Sequence, residues 1–334
     1  MDCIKFIVYN VLLSALSFLC EAKGKPSLGL VGNSTGVTRS TSGGTVLVGG
    51  GTDVDAAMQW MINKSGCGDF VVIRASGTDA YNSYIYDLGC ANSVETLLIN
   101  SPTLANDPEV DTKIRGAEAL FIAGGDQADY VNYWKGTKVQ DALNYLRNVK
   151  KVPIGGTSAG CAILGQSYFS ALKGSVTSSQ ALTNPYHTYV TLGYNDFLSL
   201  PYLSNVITDS HFSSRDRTGR LVTFLARMNK EYGVVGRGIG VDESTAVCIE
   251  NDGKSKVFGS GTAFFLSQNG SPNTPETCVS GSPLHWYRNR QAVIVYKIAG
   301  SQLGSGSFDL TTWSPVSGGV SQYYYVDHGT LGIS

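Results

Sequence analysis

A chain of 334 residues with 42 % hydrophobic content has the material for one large α/β domain or two small ones. Its 25 Lys+Arg against 26 Asp+Glu create no global field for nucleic acid or an anionic membrane, so any charged substrate must be recognised locally.

The N-terminus carries Lys5, an apolar run from Phe6 to Phe18, then Cys20, Glu21 and Ala22. That run is shorter than the roughly 20 apolar residues that span a bilayer, so residues 1–22 read as a signal peptide and not as an anchor. A single domain over residues 23–334 is expected, exported or retained in a vacuole. Losing the leader removes Cys3 and Cys20 and leaves Cys67, Cys90, Cys161, Cys248 and Cys278. With Cys161 free in a turn, proximity along the chain pairs Cys67 with Cys90 and Cys248 with Cys278, one of the three connectivities that four cysteines allow. Glycosylation sequons at Asn33, Asn63 and Asn269 agree with export, although Pro272 closely follows the last.

From residue 45 to residue 161, short Val- and Ile-rich runs alternate with segments of helical spacing, the pattern of βαβ units. A strand is predicted at 45–48, ending in Gly49-Gly50-Gly51. Apolar Val54, Ala57, Met58 and Met61 then predict a helix over 54–62 with Asp53 as its cap. The triple glycine lacks GxGxxG spacing and reads as a tight turn, not a dinucleotide site. Strands follow at 70–73, 96–99, 119–123 and 152–154. Glycines at their carboxyl ends put loops along the edge where open α/β sheets bind ligands. Beyond Gly174, runs at 246–249, 256–258, 263–266 and 292–298 read as antiparallel strands, and 301–319 is a Ser- and Gly-rich tail.

Gly156-Thr157-Ser158-Ala159-Gly160 has the form of a nucleophile elbow, which needs small neighbours because the serine sits in a strained turn. The motif is weak in a chain of 40 glycines. Its place between a predicted strand and an apolar helical stretch from Cys161 strengthens it. Serine needs a base, and among four histidines His211 stands out, flanked by Asp209, Asp216, Arg215, Arg217 and Arg220. Such a segment is otherwise a solvated helix start with charges paired at helical spacing. His187, His285 and His328 have plainer surroundings. Asp242 and Glu243, between two short apolar runs, are candidates to orient an imidazole, or simply turn formers. No metal is implied, since there is no HExxH and no paired Cys–His spacing.

Gly-Gly-Asp-Gln at 124–127, Gly-Thr-Ser-Ala-Gly at 156–160, Asp-Ser-His-Phe leading to three arginines at 209–220, and Gly-Ile-Gly-Val-Asp-Glu at 238–243 occur in an order that resembles cyanophycinases within the wider peptidase E group. The likeness runs from about Thr45 to about Ala299. It implies an α/β fold of the class I glutamine amidotransferase-like kind, a mostly parallel central sheet flanked by helices, with a β-rich C-terminal part. It further implies a serine-type peptidase or amidohydrolase without cofactor, cleaving an amide next to an aspartyl or isoaspartyl residue. Ser158 is then the nucleophile, His211 the base and Glu243 its orienting group. Gly125 and Ala159 supply oxyanion N–H groups, and Gln127 and Asp209 line the substrate site. The basic cluster of a cyanophycinase receives the acidic backbone of its substrate, a role that falls here to Arg215, Arg217 and Arg220; guanidinium forks suit carboxylates. The partner implied is a small peptide or amide bearing a carboxylate, and a homodimer is compatible with it. Ser210 stands where glutamine is usual and Cys161 where alanine is common; neither change removes a catalytic group.

Three other readings compete. An α/β-hydrolase esterase would order its triad as Ser158, Asp309 and His328. A silent binding protein would keep the fold and use the arginines to hold an acidic peptide. An acyl-transfer enzyme would present an amine in place of water.

Overall fold

The computed structural model describes residues 25–270 and 272–334, so the expected leader, with Cys3 and Cys20, lies outside the described residues. Strand β1 (Ser27–Gly32) precedes a βαβ series: β2 (Gly44–Val48), α1 (Asp55–Lys64), β3 (Asp69–Arg74), α2 (Tyr81–Asp87), β4 (Ser93–Leu98), α3 (Pro102–Ala105) and α4 (Pro108–Gly116). The series continues with β5 (Ala119–Ile122), α5 (Gln127–Trp134), α6 (Lys138–Tyr145), β6 (Pro153–Thr157) and α7 (Ala159–Ala162). Then come β7 (Ser167–Phe169), α8 (Ser178–Thr183), β8 (Leu192–Tyr194), β9 (Val206–Asp209), α9 (Thr218–Tyr232), β10 (Arg237–Val241) and β11 (Thr245–Ile249). The chain ends with β12 (Lys254–Gly259), β13 (Thr262–Gln268), β14 (Val293–Ala299), β15 (Gly306–Asp309), β16 (Ser314–Ser317), β17 (Gly319–Asp327) and β18 (Thr330–Ile333).

Among the described residues these strands form two sheets. The first runs β1-β4-β3-β5-β6-β2-β11-β12-β15-β16, with a parallel centre of β4, β3, β5, β6 and β2 and antiparallel strands on either side. The second runs β18-β17-β14-β13-β10-β9-β7-β8 and is parallel only at β10-β9 and β9-β7. The expected mixed α/β architecture is present as two sheets, with parallel pairing at the centre of the first and, in the second, among β10, β9 and β7 toward one end.

Parallel strands buried on both faces need apolar residues at successive positions. In β3, Phe70 and Val72 join the core under α1 and α2, while Val71 and Ile73 join the core shared with α4, α5 and α6. The spacing of Ala57, Met58, Met61 and Ile62 places them on the buried face of α1. The second sheet is covered on one side by α8 and α9, through Leu182, Leu221, Phe224 and Leu225. Its other side, through Ile239, Val241, Phe265 and Ile298, joins the core of the first sheet. Among the described residues no helix is long and apolar enough to cross a membrane.

Three expectations, on the cap of α1, the helix after the elbow and one cysteine pair, are corrected. Asp53 does not cap α1, whose N-cap is Val54 without a side-chain bond; one Asp53 oxygen instead accepts from the Tyr81 hydroxyl at 2.8 Å. The helix after the elbow is a single turn, because Gly165 and Gln166 lead the chain into β7 of the second sheet. The Ser- and Gly-rich tail contributes β15, which pairs with β12, and β16, which pairs with β15. Cys67 and Cys90 form a disulfide, but Cys248 and Cys278 are free and buried. Cys248 faces the core beneath α1, whereas Cys278 lies in the core beneath α9, so two different packed layers hold the thiols apart.

Candidate active site

Register brings the relevant turns to one edge. Pairing of Ile122 with Gly156 aligns the ends of β5 and β6, and pairing of Val48 with Thr157 aligns β2 with β6. Ser158 follows β6 at φ 54° and ψ −116°, a strained conformation for a residue with a Cβ. The turn is so tight that a Cβ on Gly156 would lie 2.6 Å from the Gly160 carbonyl, which explains the glycines flanking the serine. The Ser158 N–H is already committed to Val48 O at 3.1 Å, which leaves the N–H of Ala159, first residue of α7, to head the helix.

The Ser158 hydroxyl donates to His211 Nε2 at 2.7 Å, and His211 Nδ1 donates to Glu243 Oε1 at 2.6 Å. These three residues come from the β6–α7, β9–α9 and β10–β11 connections, so two sheets must assemble before the chain of bonds exists. His211 is held at φ 47° by its own N–H on Gly49 O, 2.7 Å. Gly50, at φ +93°, packs against the imidazole; a Cβ there would fall 2.5 Å from Nε2. Gly51 lies against Glu243 in the same way, and Ser244 N–H bonds Gly50 O at 2.8 Å. The triple glycine is thus a tight turn as expected, and it also cradles the His211 imidazole. Only the absence of any side chain over three residues hinted at that role.

His211 is 7 % exposed. Its burial, with the positive charges of Arg215 and Arg217, outweighs the pull of Glu243 and lowers its pKa below the usual 6.5. The imidazole is therefore neutral at pH 7 and able to accept a proton. The hydrogen bonds from His211 and Ser214 lower the Glu243 carboxyl below its usual value, keeping it ionised. Of the acidic pair, Asp242 has a different task, accepting Ser213 N–H at 2.8 Å and Thr262 N–H at 3.1 Å. A cavity of about 530 Å³, lined by Asp53, Gln59, Ser244 and Gln302 among others, opens beside this turn.

The charged segment divides in two. Asp209 and Arg220 are 2 % exposed each and form a two-point pair, Arg220 Nε to Oδ2 at 2.8 Å and Nη2 to Oδ1 at 2.6 Å. Arg220 also donates to Ser175 Oγ and Val176 O. Arg217 adds bonds to Asp209 Oδ1 and Ser210 O. Burial, with Arg220 and Arg215 close by, brings its guanidinium down to about 10 although Asp209 opposes this. The expectation that Asp209 and Arg220 line the substrate site is therefore corrected: the first turn of α9 faces the core, and these two charges neutralise each other beneath the site. Arg215 is exposed. Gln127 is half-buried at the start of α5. A Cβ on Gly124 would lie 3.4 Å from Ser158 Cβ, so the loop before Gln127 borders the serine. Cys161 is buried just past the elbow, and burial pushes its thiol up and out of reactive range.

The rival triad does not assemble. His328 bonds Asp327 at 2.7 Å, and Asp309 accepts from Thr311, while Ser158 is bonded to His211.

Residues 75–257, more than half of the chain, match peptidase family S51. The chain is 26 % identical over 207 residues to the cyanophycinase of Nostoc sp. (strain PCC 7120), covering 62 % of this chain and 64 % of that one. It is 29 % identical over 182 residues to the cyanophycinase of Thermosynechococcus vestitus, covering 54 % and 51 %. The chain thus spans between half and two thirds of the length of these curated relatives. In fold it is similar to a peptidase from an acI-B1 Actinobacterium, with a TM-score of 0.51 at 15 % identity over 81 % of this chain and 98 % of that one. A matched segment of this extent, more than half of the chain and containing Ser158, His211 and Glu243, makes the chain a member of peptidase family S51.

Proposed function

We propose that the protein is a serine-type peptidase that cleaves an amide next to an aspartyl or isoaspartyl residue through Ser158, His211 and Glu243. The observation that carries this reading is the unbroken Ser158–His211–Glu243 hydrogen-bond chain at a strained elbow. As Ser158 Oγ bonds to the amide carbonyl carbon, its proton passes to His211 Nε2, and Glu243 holds the resulting imidazolium. The oxyanion takes hydrogen bonds from the N–H groups of Ala159 and Gly125. His211 then returns the proton to the leaving amine, and water, deprotonated by the same imidazole, releases the acyl group.

Arg215, exposed and close enough to bias His211 electrostatically, is the group to meet a substrate carboxylate; Arg217, partly exposed, stands behind it, and Gln127 borders the same edge. The five parallel strands with a nucleophile following β6 support a class I glutamine amidotransferase-like ancestry. Export through a leader at 1–22, with glycans on the exposed Asn33 and Asn63, completes the proposal. Asn269 is a poorer acceptor, because its amide donates to Gln291 O at 2.9 Å.

The test is hydrolysis of β-Asp-Arg, other β-aspartyl dipeptides, α-aspartyl dipeptides and a plain ester by the protein and its Ser158→Ala variant. Turnover of a β-aspartyl or α-aspartyl member that vanishes in the variant is expected. Turnover that survives in the variant, or confined to the ester, would refute the assignment.

A further inference from the structure

We propose that His285, Asp327 and His328 form a binding site for one divalent transition-metal ion of the zinc and copper class, at the far edge of the second sheet from Ser158. Three donor atoms, Nδ1 or Nε2 of each histidine and a carboxylate oxygen of Asp327, lie within 4.8 Å of one another. Asp327 Oδ1 sits 2.7 Å from His328 Nδ1 and 3.4 Å from His285 Nδ1, so both rings turn the same edge to one carboxylate. Tetrahedral zinc with bonds of about 2.0–2.1 Å sets its donors about 3.3 Å apart. The 3.4 Å separation already fits, and the 2.7 Å hydrogen bond opens by roughly half an ångström when the metal takes the place of the proton. Two imidazoles with one carboxylate suit zinc or copper and not calcium or magnesium, which demand oxygen.

The donors are held in place by main chain. His328 and Gly329 are the two-residue turn between paired Asp327 and Thr330, at φ 46° and 84°, a type I′ hairpin. The segment carrying His285 is pinned alongside by Trp286 N–H to Val326 O at 2.8 Å, Val326 N–H to Trp286 O at 2.9 Å and Gly329 N–H to Leu284 O at 2.7 Å. The two rings stack at 4.1 Å with a 28° tilt, and Tyr287 backs His285 at 6.1 Å. Without metal, His285 Nδ1 accepts a long bond from His328 N–H at 3.3 Å, which the metal displaces. Binding through Nδ1 selects the tautomer of His328 whose ring proton sits on Nε2, so the ring stays neutral and the metal replaces the hydrogen bond to Asp327. A bound ion would staple the terminal hairpin to the 277–287 segment.

The experiment is calorimetric titration of tag-free, chelator-stripped protein with Zn²⁺, and Cu²⁺ spectroscopy for nitrogen ligation, alongside His285→Ala, Asp327→Asn and His328→Asn. Asparagine at 328 tolerates the left-handed turn, and circular dichroism establishes that each variant is folded. One equivalent bound by the wild type, two-nitrogen ligation of Cu²⁺, and at least a tenfold loss in each variant are expected. No saturable binding, or affinity unchanged in His328→Asn and His285→Ala, overturns the proposal. Neither result depends on activity at Ser158.

Discussion

Asp209→Ala separates a residue beneath the site from one within it. Its carboxylate is 2 % exposed and meets Arg220 at 2.6 and 2.8 Å and Arg217 at 3.3 Å. Removing it leaves the Arg220 guanidinium, itself 3 % exposed, buried without a counter-charge, whereas Arg217, at 12 %, can turn toward solvent. Breaking a buried pair by deleting one partner costs about 3–5 kcal/mol, against about 5–15 kcal/mol for the whole stability of an ordinary domain. Thermal unfolding should show Tm lowered by on the order of 5–15 °C. Asp209→Leu combined with Arg220→Met should recover part of the loss, because replacing both charges removes the desolvation penalty along with the attraction. Measured on folded protein below its Tm, KM for an aspartyl substrate should change little. A variant with unchanged Tm and a tenfold higher KM would refute this reasoning and return Asp209 to the substrate site.

Three further outcomes follow. The kcat/KM profile should have an acid limb with its midpoint below 6.5, and Arg215→Ala should move that limb to higher pH, since removing a nearby cation favours the imidazolium; an unmoved limb would contradict the electrostatics. For the same group the unfolded chain binds more protons than the folded one just below pH 6.5, so stability rises with pH through that window. Gly50→Ala should lower kcat/KM by at least about 10²-fold by pushing the imidazole off Ser158; near-normal turnover would show that the cradle yields. Thiol mapping of the chain without residues 1–22 should give a Cys67–Cys90 link and three slow-reacting thiols, at Cys161, Cys248 and Cys278, and a Cys248–Cys278 peptide would contradict the packing.

Features set by local chemistry were legible in the chain. Runs of Val and Ile mark β2, β3 and β5 because strands buried on both faces leave no room for polar residues, and the glycines around Ser158 mark a turn too tight for a Cβ. Unusual charge density singled out the segment around His211. What depends on the direction of a side chain within an element was not legible. Asp209, Arg217 and Arg220 share one stretch with Arg215, and only the inward-facing first turn of α9 decides which of them is buried. Cys248 and Cys278 are close in sequence, yet β11 and the 273–287 segment enter different layers. Gly50 reads as a turn residue until the β9–α9 connection lays an imidazole across it. His285 and Asp327 are separated by β14, β15, β16 and the rest of β17, a spacing that no short motif captures.

Covalent labelling of Ser158 tests the central claim most directly. A serine-directed phosphonate bearing an aspartyl group, followed by peptide mass spectrometry, should give one adduct, on the peptide containing Ser158, formed at least 10³-fold more slowly in His211→Ala. Absence of an adduct at Ser158, or equal labelling in folded His211→Ala, would mean that the hydrogen-bonded chain of Ser158, His211 and Glu243 does not activate the serine.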